Sequence, residues 1–312
     1  MNTVNHSTAN SDKTWVVWRI VDGNRGHEKQ SQALIEGLAL LVSVTTYDVP
    51  AIKGGVFHSL YCWISKQYPT VQGLPKPDLI IGTGHKTHAS LLIARRCFGG
   101  KAVALMRPSL PLSWFDQTII PSHDRVKDGP SVITSKGVLC PSAAQQADKG
   151  SLGLILLGGD SNAFSWNWPD VVAQIQAIVS ATECSEWIIS DSRRTPGKLE
   201  AQLGELTATC IHWRDVDSSW IQATLARCSQ VWVSMDSTSM LYESLNSQAE
   251  VRVIELAAKK AHNKFMLGIN QLEADGHTQT FSQWKDGQEL SHGGIPLNDH
   301  YRCAKELLEK LG

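Results

Sequence analysis

The chain has 312 residues, 42% of them hydrophobic and 19% charged, with a formal net charge of -1. That is enough for two globular domains at about 150 residues each, and the balanced charge excludes a global pull toward nucleic acid, so any anionic partner must be attracted locally. No apolar run approaches the roughly 18 residues of a membrane span, and the seven cysteines are scattered with no CxxC pair, which reads as reduced, mostly buried thiols in a cytoplasmic protein rather than a disulfide framework or a zinc site.

Residues 1–13 (MNTVNHSTANSDK) lack an apolar signal core and read as a disordered tail. Trp15 to Val21 (WVVWRIV) has strand composition and stops at Asp22-Gly-Asn-Arg-Gly-His27, ahead of a helical pattern through Leu34, Ile35, Leu38 and Leu41. Strand, glycine loop and helix form the opening unit of a doubly wound sheet. Gly23 and Gly26 permit close backbone approach, while Arg25 and His27 place a charge and a titratable group at the helix start. The same loop also fits a tight turn with an exposed His27; alternatively His27 acts as a general base toward an acceptor hydroxyl.

A second strand spans Ser43 to Val49, followed by the segment Ile52 to Tyr68, in which Phe57, Leu60, Tyr61 and Ile64 share one helical face between Lys53 and Lys66. Such a face either packs on a sheet or lies on a membrane surface beside a lipid-linked acceptor. Pro77 to Gly84 is strand then glycine turn, and His85 and Lys86 stand at the start of the helix from His88 to Cys97. His85 and His88 share a face at i+3, but no third ligand lies near them in sequence, so no metal is expected. Strands over Lys101 to Met106 and Thr118 to Pro121 follow, and Val138-Leu139-Cys140-Pro141 closes the half.

Ser142 to Ser151 (SAAQQADKGS) has linker composition. Leu152 to Leu157 is a fully apolar strand ending in Gly158-Gly159-Asp160-Ser161-Asn162, a loop suited to holding phosphate through N–H groups and a hydroxyl. A helix from Asp170 to Val179 leads to a strand, Trp187 to Ser190, which runs into Asp191-Ser-Arg-Arg-Thr-Pro196, where Arg193 and Arg194 could fork onto diphosphate oxygens or make surface ion pairs. After Ile211-His-Trp213 and a helix from Trp220 to Cys228 comes Val231-Trp-Val233, then the polar cluster Ser234, Asp236, Ser237, Thr238 and Ser239, a helix carrying Met240 and Glu243, and a strand from Val251 to Leu256. The N-terminal N–H groups of that helix would face a phosphate, and Glu243, on the side of Ser239 and Met240, suits a ribose diol. The alternative is that the serines only cap the helix and Glu243 is solvated. A terminal helix follows Pro296, with Cys303, Leu307, Leu308 and Leu311 on its buried side.

Seven stretches carry a resemblance: residues 22–30 (DGNRGHEKQ), 77–85 (PDLIIGTGH), Phe115-Asp116 with 121–124 (PSHD), 157–161 (LGGDS), 190–196 (SDSRRTP), 235–243 (MDSTSMLYE) and 296–298 (PLN). In this order the chain resembles the bacterial and plant family called mitochondrial fission ELM proteins, whose bacterial members are regarded as glycosyltransferases of the GT-B class. The Glu243 position is also similar to the ribose-binding glutamate of the enzyme that transfers N-acetylglucosamine onto a lipid-linked peptidoglycan precursor. The resemblance implies an α/β protein of two Rossmann-like domains facing across a cleft, here residues 14–145 and 150–295, with the closing helix 296–312 crossing back to the first. It implies a metal-independent transferase that needs no cofactor and takes a nucleotide-sugar as substrate. Gly159, Ser161, Asn162, Ser190, Arg193, Arg194, Asp236, Ser237, Ser239, Met240 and Glu243 would hold the donor. Gly23, Asn24, Arg25, Gly26, His85 and Lys86 would face a glycan or lipid-linked acceptor of lipopolysaccharide type at the inner leaflet, with His27 the base and Asp22 or Glu28 in reserve if the reaction inverts the anomeric carbon, and His27 a phosphate contact if it retains it. GT-B donor loops are often glycine-rich, whereas here the loop is Ser234-Met-Asp-Ser-Thr-Ser239. A non-catalytic scaffold and a nucleotide-sugar epimerase of the same architecture are the alternatives.

Overall fold

The structure is a computed structural model describing residues 13–143, 151–181, 184–217, 219–260 and 263–311. The expected tail before Lys13 and residues 144–150 of the expected linker lie outside the described residues. The chain forms two compact units, one holding the sequence up to Ile120 with Lys127–Ser135 and the segment from His300, the other holding Pro121–Val126 and Lys136–Asp299. The chain passes between the units at Ile120/Pro121, Val126/Lys127, Ser135/Lys136 and Asp299/His300.

The first unit comprises β1 (Trp15–Val21), α1 (Arg25–Ala39), β2 (Val44–Pro50), α2 (Gly55–Ser65), β3 (Leu79–Thr83), α3 (His85–Phe98), β4 (Lys101–Leu105), β5 (Gln117–Pro121) and β6 (Val132–Ser135). Its sheet runs β2-β1-β3-β4-β5-β6, and the pairs β1–β2, β1–β3, β3–β4 and β4–β5 are parallel. β3 is buried along its whole length, as expected where helices cover both faces of a parallel sheet, so it reads in sequence as a continuous apolar run. Trp18, Ile20, Ile80, Leu91 and Ala104 meet in the core. The order reverses between β1 and β3, and in open α/β sheets ligands bind at the carboxyl ends of the strands flanking such a reversal.

The second unit comprises β7 (Leu152–Leu156), β8 (Phe164–Ser165), α4 (Trp168–Ala181), β9 (Glu186–Ser190), α5 (Leu199–Leu203), β10 (Thr209–Ile211), α6 (Trp220–Leu225), β11 (Cys228–Ser234), α7 (Thr238–Ser244), β12 (Glu250–Ile254), β13 (Ala257–Ala258), α8 (Lys264–Ala274) and α9 (Phe281–Lys285). Its main sheet is wholly parallel in the order β10-β9-β7-β11-β12, with the reversal between β7 and β11. The final helix, α10 (Asp299–Leu311), groups with the first unit from His300 onward. A Cβ on Gly37 of α1 would lie 2.6 Å from the His300 carbonyl oxygen, so only glycine admits that approach. Cys303 and Leu307 are fully buried; Leu308 and Leu311, expected beside them, are half-buried.

Val138 to Pro141, which closes the first half in sequence, forms no strand, although Leu139 and Cys140 are buried. The strand near there is β6, whose short Val-Ile-Thr-Ser sequence gives little apolar periodicity. β10 ends at Ile211, and just beyond it the Trp213 amide donates to the Asp191 carboxylate at 2.7 Å.

Candidate functional site

In the first unit, β1 ends at Val21 and the chain turns through Gly23 at φ +81° into α1. Asn24 caps that helix by accepting from the Gly26 amide at 2.9 Å, and the Glu28 carboxylate accepts from the Gly23 amide at 3.2 Å. Asp22 is held from two sides. One oxygen accepts from the Asn24 amide at 3.0 Å, and the other lies 2.9 Å from His27 Nδ1. Burial alone would raise the Asp22 carboxyl, but the Asn24 amide, His27 and Lys86 together hold it below the ordinary value, so it stays an anion. With Nδ1 engaged, the second ring nitrogen of His27 is the one left to exchange a proton.

The ring of His27 rests on the start of α3. Gly84, at φ +82°, ends the β3 turn, and a Cβ there would sit 2.3 Å from His27 Cε1. Loops from the two strands that flank the reversal thus seat the histidine together. Beside them a cavity of about 1370 Å³ is lined by Asp22, Gly23, Glu28, His85 and Lys86 and by chiefly apolar groups of α2 and α3, with Lys53, Arg95, Leu110 and Trp114. Of the expected acceptor residues, Gly23, His85 and Lys86 line it. Asn24 and Gly26 instead close the helix cap, and Arg25 is exposed at its first residue. The i+3 histidines differ in setting: His85 is exposed, whereas His88 is buried against Phe115 and pushed down to about 4, first by desolvation and then by His85 and His27.

In the second unit, three strand-end loops tie together at the reversal between β7 and β11. Ser234 Oγ accepts from the Gly158 amide at 2.7 Å and donates to Asp236 at 2.7 Å, and Asp236 also accepts from the Gly159 amide at 3.0 Å. Arg194 closes the knot from the β9 loop, 2.7 Å from the Asp236 carboxylate. A Cβ on Gly158 would lie 2.1 Å from Asp236, and one on Gly159 2.0 Å from the Arg194 carbonyl oxygen, so both glycines are dictated by the crossing of the loops. Ser192 donates to the Gly158 carbonyl at 2.6 Å, and Thr195 bonds the same oxygen. Burial pushes the Asp236 carboxyl up, against the opposing pull of Ser234, Arg194 and the Gly159 amide.

This arrangement separates the expected donor residues into groups. Asp236 has no exposed side-chain surface, so it organises the loops and cannot touch a ligand as placed. Gly159 and Ser190 are buried, and Ser161 accepts from the Phe164 amide at 3.0 Å, which shapes its own turn. Asn162, Arg193, Arg194 and Ser239 present themselves to solvent, with Met240 half-buried. Ser237 stands at the N-cap of α7 and makes no side-chain cap bond, so the serines do not cap the helix in the usual way. Glu243 is buried at 8% exposure, which removes the reading of a solvated surface carboxylate. Sequence reasoning missed Ser192 and Thr195, although a serine and threonine bracketing two arginines before Pro196 is a turn signature.

A family model described as Mitochondrial fission ELM1 matches residues 25–311. An uncharacterized protein of Rickettsia prowazekii (strain Madrid E) is 23% identical over 293 residues, covering 74% of this chain and 80% of that protein. Among solved structures, a candidate UDP-N-acetylglucosamine 2-epimerase of Listeria monocytogenes is similar at a TM-score of 0.56, with 14% identity over 95% of both chains. The E. coli heptosyltransferase WaaC, solved with ADP, is similar at 0.50, with 9% identity over 95% of this chain and all of that one. At such identities the likeness shows the fold alone, a Rossmann-like pair of parallel sheets of the GT-B type.

Proposed function

The chain belongs to the mitochondrial fission ELM1 family, and from that premise we propose that it transfers a sugar from a nucleotide-sugar to a hydroxyl of a cell-envelope glycan or lipid-linked acceptor. The observation that carries the reading is the Asp22–His27 pair at the strand reversal of the first unit, beside a cavity large enough for an acceptor. Asp22 would hold the imidazole through Nδ1 and stabilise the imidazolium that forms, and His27 would take the acceptor proton on its other nitrogen. The acceptor oxygen then forms a bond to the anomeric carbon as the bond to the diphosphate oxygen breaks, inverting that carbon.

The second unit would hold the donor. Arg194, Arg193, the amides of Asp160 and Asn162 and those of the first turn of α7 would offset the charge of the departing diphosphate without a metal, the Gly159, Ser161 and Ser237 amides being taken by Asp236, Phe164 and Ser234. Glu243 would hold the ribose. WaaC, solved with ADP on this fold, supports a nucleoside diphosphate as the leaving group. The epimerase likeness supports a nucleotide-sugar just as well, but sugar interconversion leaves the acceptor-sized cavity without a use.

The test is a panel of UDP-, GDP-, ADP- and CMP-sugars followed by melting temperature, which a saturating ligand raises by mass action. One member should raise it in the wild type, less in Glu243→Ala and as much in His27→Ala. A flat response across the panel would support the scaffold. Sugar interconversion without an acceptor, seen by NMR, would support the epimerase.

A further inference from the structure

Helix α2 is placed unlike every other long helix of the first unit. It buries only Cys62, whereas α1 and α3 bury most of one face. Val56 is 81% exposed, Phe57 88%, Leu60 52%, Tyr61 60% and Ile64 68%. At about 100° per residue these five occupy one arc of roughly 140°. Val56 and Leu60 also line the cavity, and Trp114, half exposed, stands on its rim. The apolar surface is therefore continuous from the cavity wall to the outer face of α2. The sequence pattern left open whether this stripe packs on a sheet; the structure leaves it uncovered.

We propose that α2 and Trp114 form a docking surface for an anionic lipid bilayer. Charge selects this occupant. From Ala51 to Lys76 the chain carries Lys53, Lys66 and Lys76 and no carboxylate, so the segment bearing the apolar arc is cationic, while Asp22 and Glu28 lie on the cavity wall, and lysines beside an apolar face are attracted to anionic headgroups. The aromatic groups suit the headgroup level: Tyr61 is exposed, and Trp63 is held under the Arg96 guanidinium at 4.8 Å. A second copy meeting this face about a two-fold axis would set its lysine-framed segment against itself, with no acidic group in the segment to receive them. No helix among the described residues is long and apolar enough to cross a membrane, so α2 lies on the surface. The consequence for the acceptor rests on the transferase reading: an acceptor carried on a lipid would pass from the bilayer over Leu60 toward Asp22 on the cavity wall without entering water.

The experiment is cosedimentation of the full chain with vesicles of phosphatidylcholine alone or mixed with phosphatidylglycerol, at low and high salt, with no nucleotide-sugar present. The wild type should pellet with the anionic vesicles, less at high salt and less with neutral lipid. Phe57→Glu and Ile64→Glu should stay in solution with unchanged melting temperature, since both side chains lie outside the core. Lys53→Ala and Lys66→Ala should each weaken partition about fivefold. Wild-type protein that stays in solution with both vesicles, or Phe57→Glu that pellets like the wild type, overturns the proposal. So does a dimer in sedimentation equilibrium that Phe57→Glu dissociates. Nucleotide-sugar melting shifts, read separately, fail only if the transferase reading fails.

Discussion

The two strand reversals of this protein are built in opposite ways. At the first, the Asp22–His27 pair stands beside a cavity of about 1370 Å³ whose walls are largely apolar. At the second, Gly158, Gly159, Ser234, Asp236 and Arg194 are drawn into one hydrogen-bonded knot. The same topological position thus serves two physical ends. An open site accommodates a partner of variable shape and needs one well-held proton acceptor. A tied site fixes the loops in place before a ligand arrives, so the groups those loops carry beside the knot need little reorganisation as charge develops.

The largest break in this comparison comes from His27→Ala. Loss of a positioned base should lower turnover by about 10²–10⁴-fold while nucleotide-sugar melting shifts stay at the wild-type value. Equal loss of binding would mean that the two reversals do not divide the work.

A paired glycine experiment follows. Gly159→Ala and Gly84→Ala each force a Cβ into occupied space, at 2.0 Å from the Arg194 carbonyl oxygen and 2.3 Å from His27 Cε1 respectively. Overpacking of this kind should cost about 1–3 kcal/mol in urea unfolding. Gly159→Ala should weaken nucleotide-sugar binding, and Gly84→Ala should spare it and lower turnover by unseating the histidine. The reverse pattern would exchange the roles of the units.

The smallest effect is the most discriminating. Asp22 titrates below the ordinary value of 3.8 and Asp236 above it. The stability Asp22 contributes is present above that value and is lost as pH falls through its lowered folded one. Asp236 behaves oppositely, its contribution being present at low pH and lost as pH rises through its raised value. In urea unfolding across the acid range, the wild-type advantage over Asp22→Asn should shrink on acidification, while that over Asp236→Asn should grow. Parallel slopes would show that the carboxylates share one environment.

The alternation of strand, loop and helix was legible because parallel strands buried on both faces read as apolar runs, Leu152–Leu156 above all. The loops at strand ends were legible too, from their glycines and serines. What those loops do to one another was not. Arg194 and Asp236 both looked like ligand residues, and only the sheet order, which places β9 and β11 on either side of β7, brings one to neutralise the other. Asp22 read as a spare base, whereas the capped start of α1 turns His27 back onto it and makes it the residue that orients the imidazole. The face of α2 was legible as a stripe, but periodicity reports which residues align and not whether anything covers them.

The place of α10 has a consequence for biosynthesis. His300 and Ala304 pack on Gly37, and Cys303 and Leu307 of the same helix are buried, so residues near 300–311 must leave the ribosome before that part of the first unit can close. Residues 136–299 are all available before then. The later half of the message can therefore yield the earlier finished fold, and during synthesis the nascent α1 keeps an apolar flank waiting for its last neighbour.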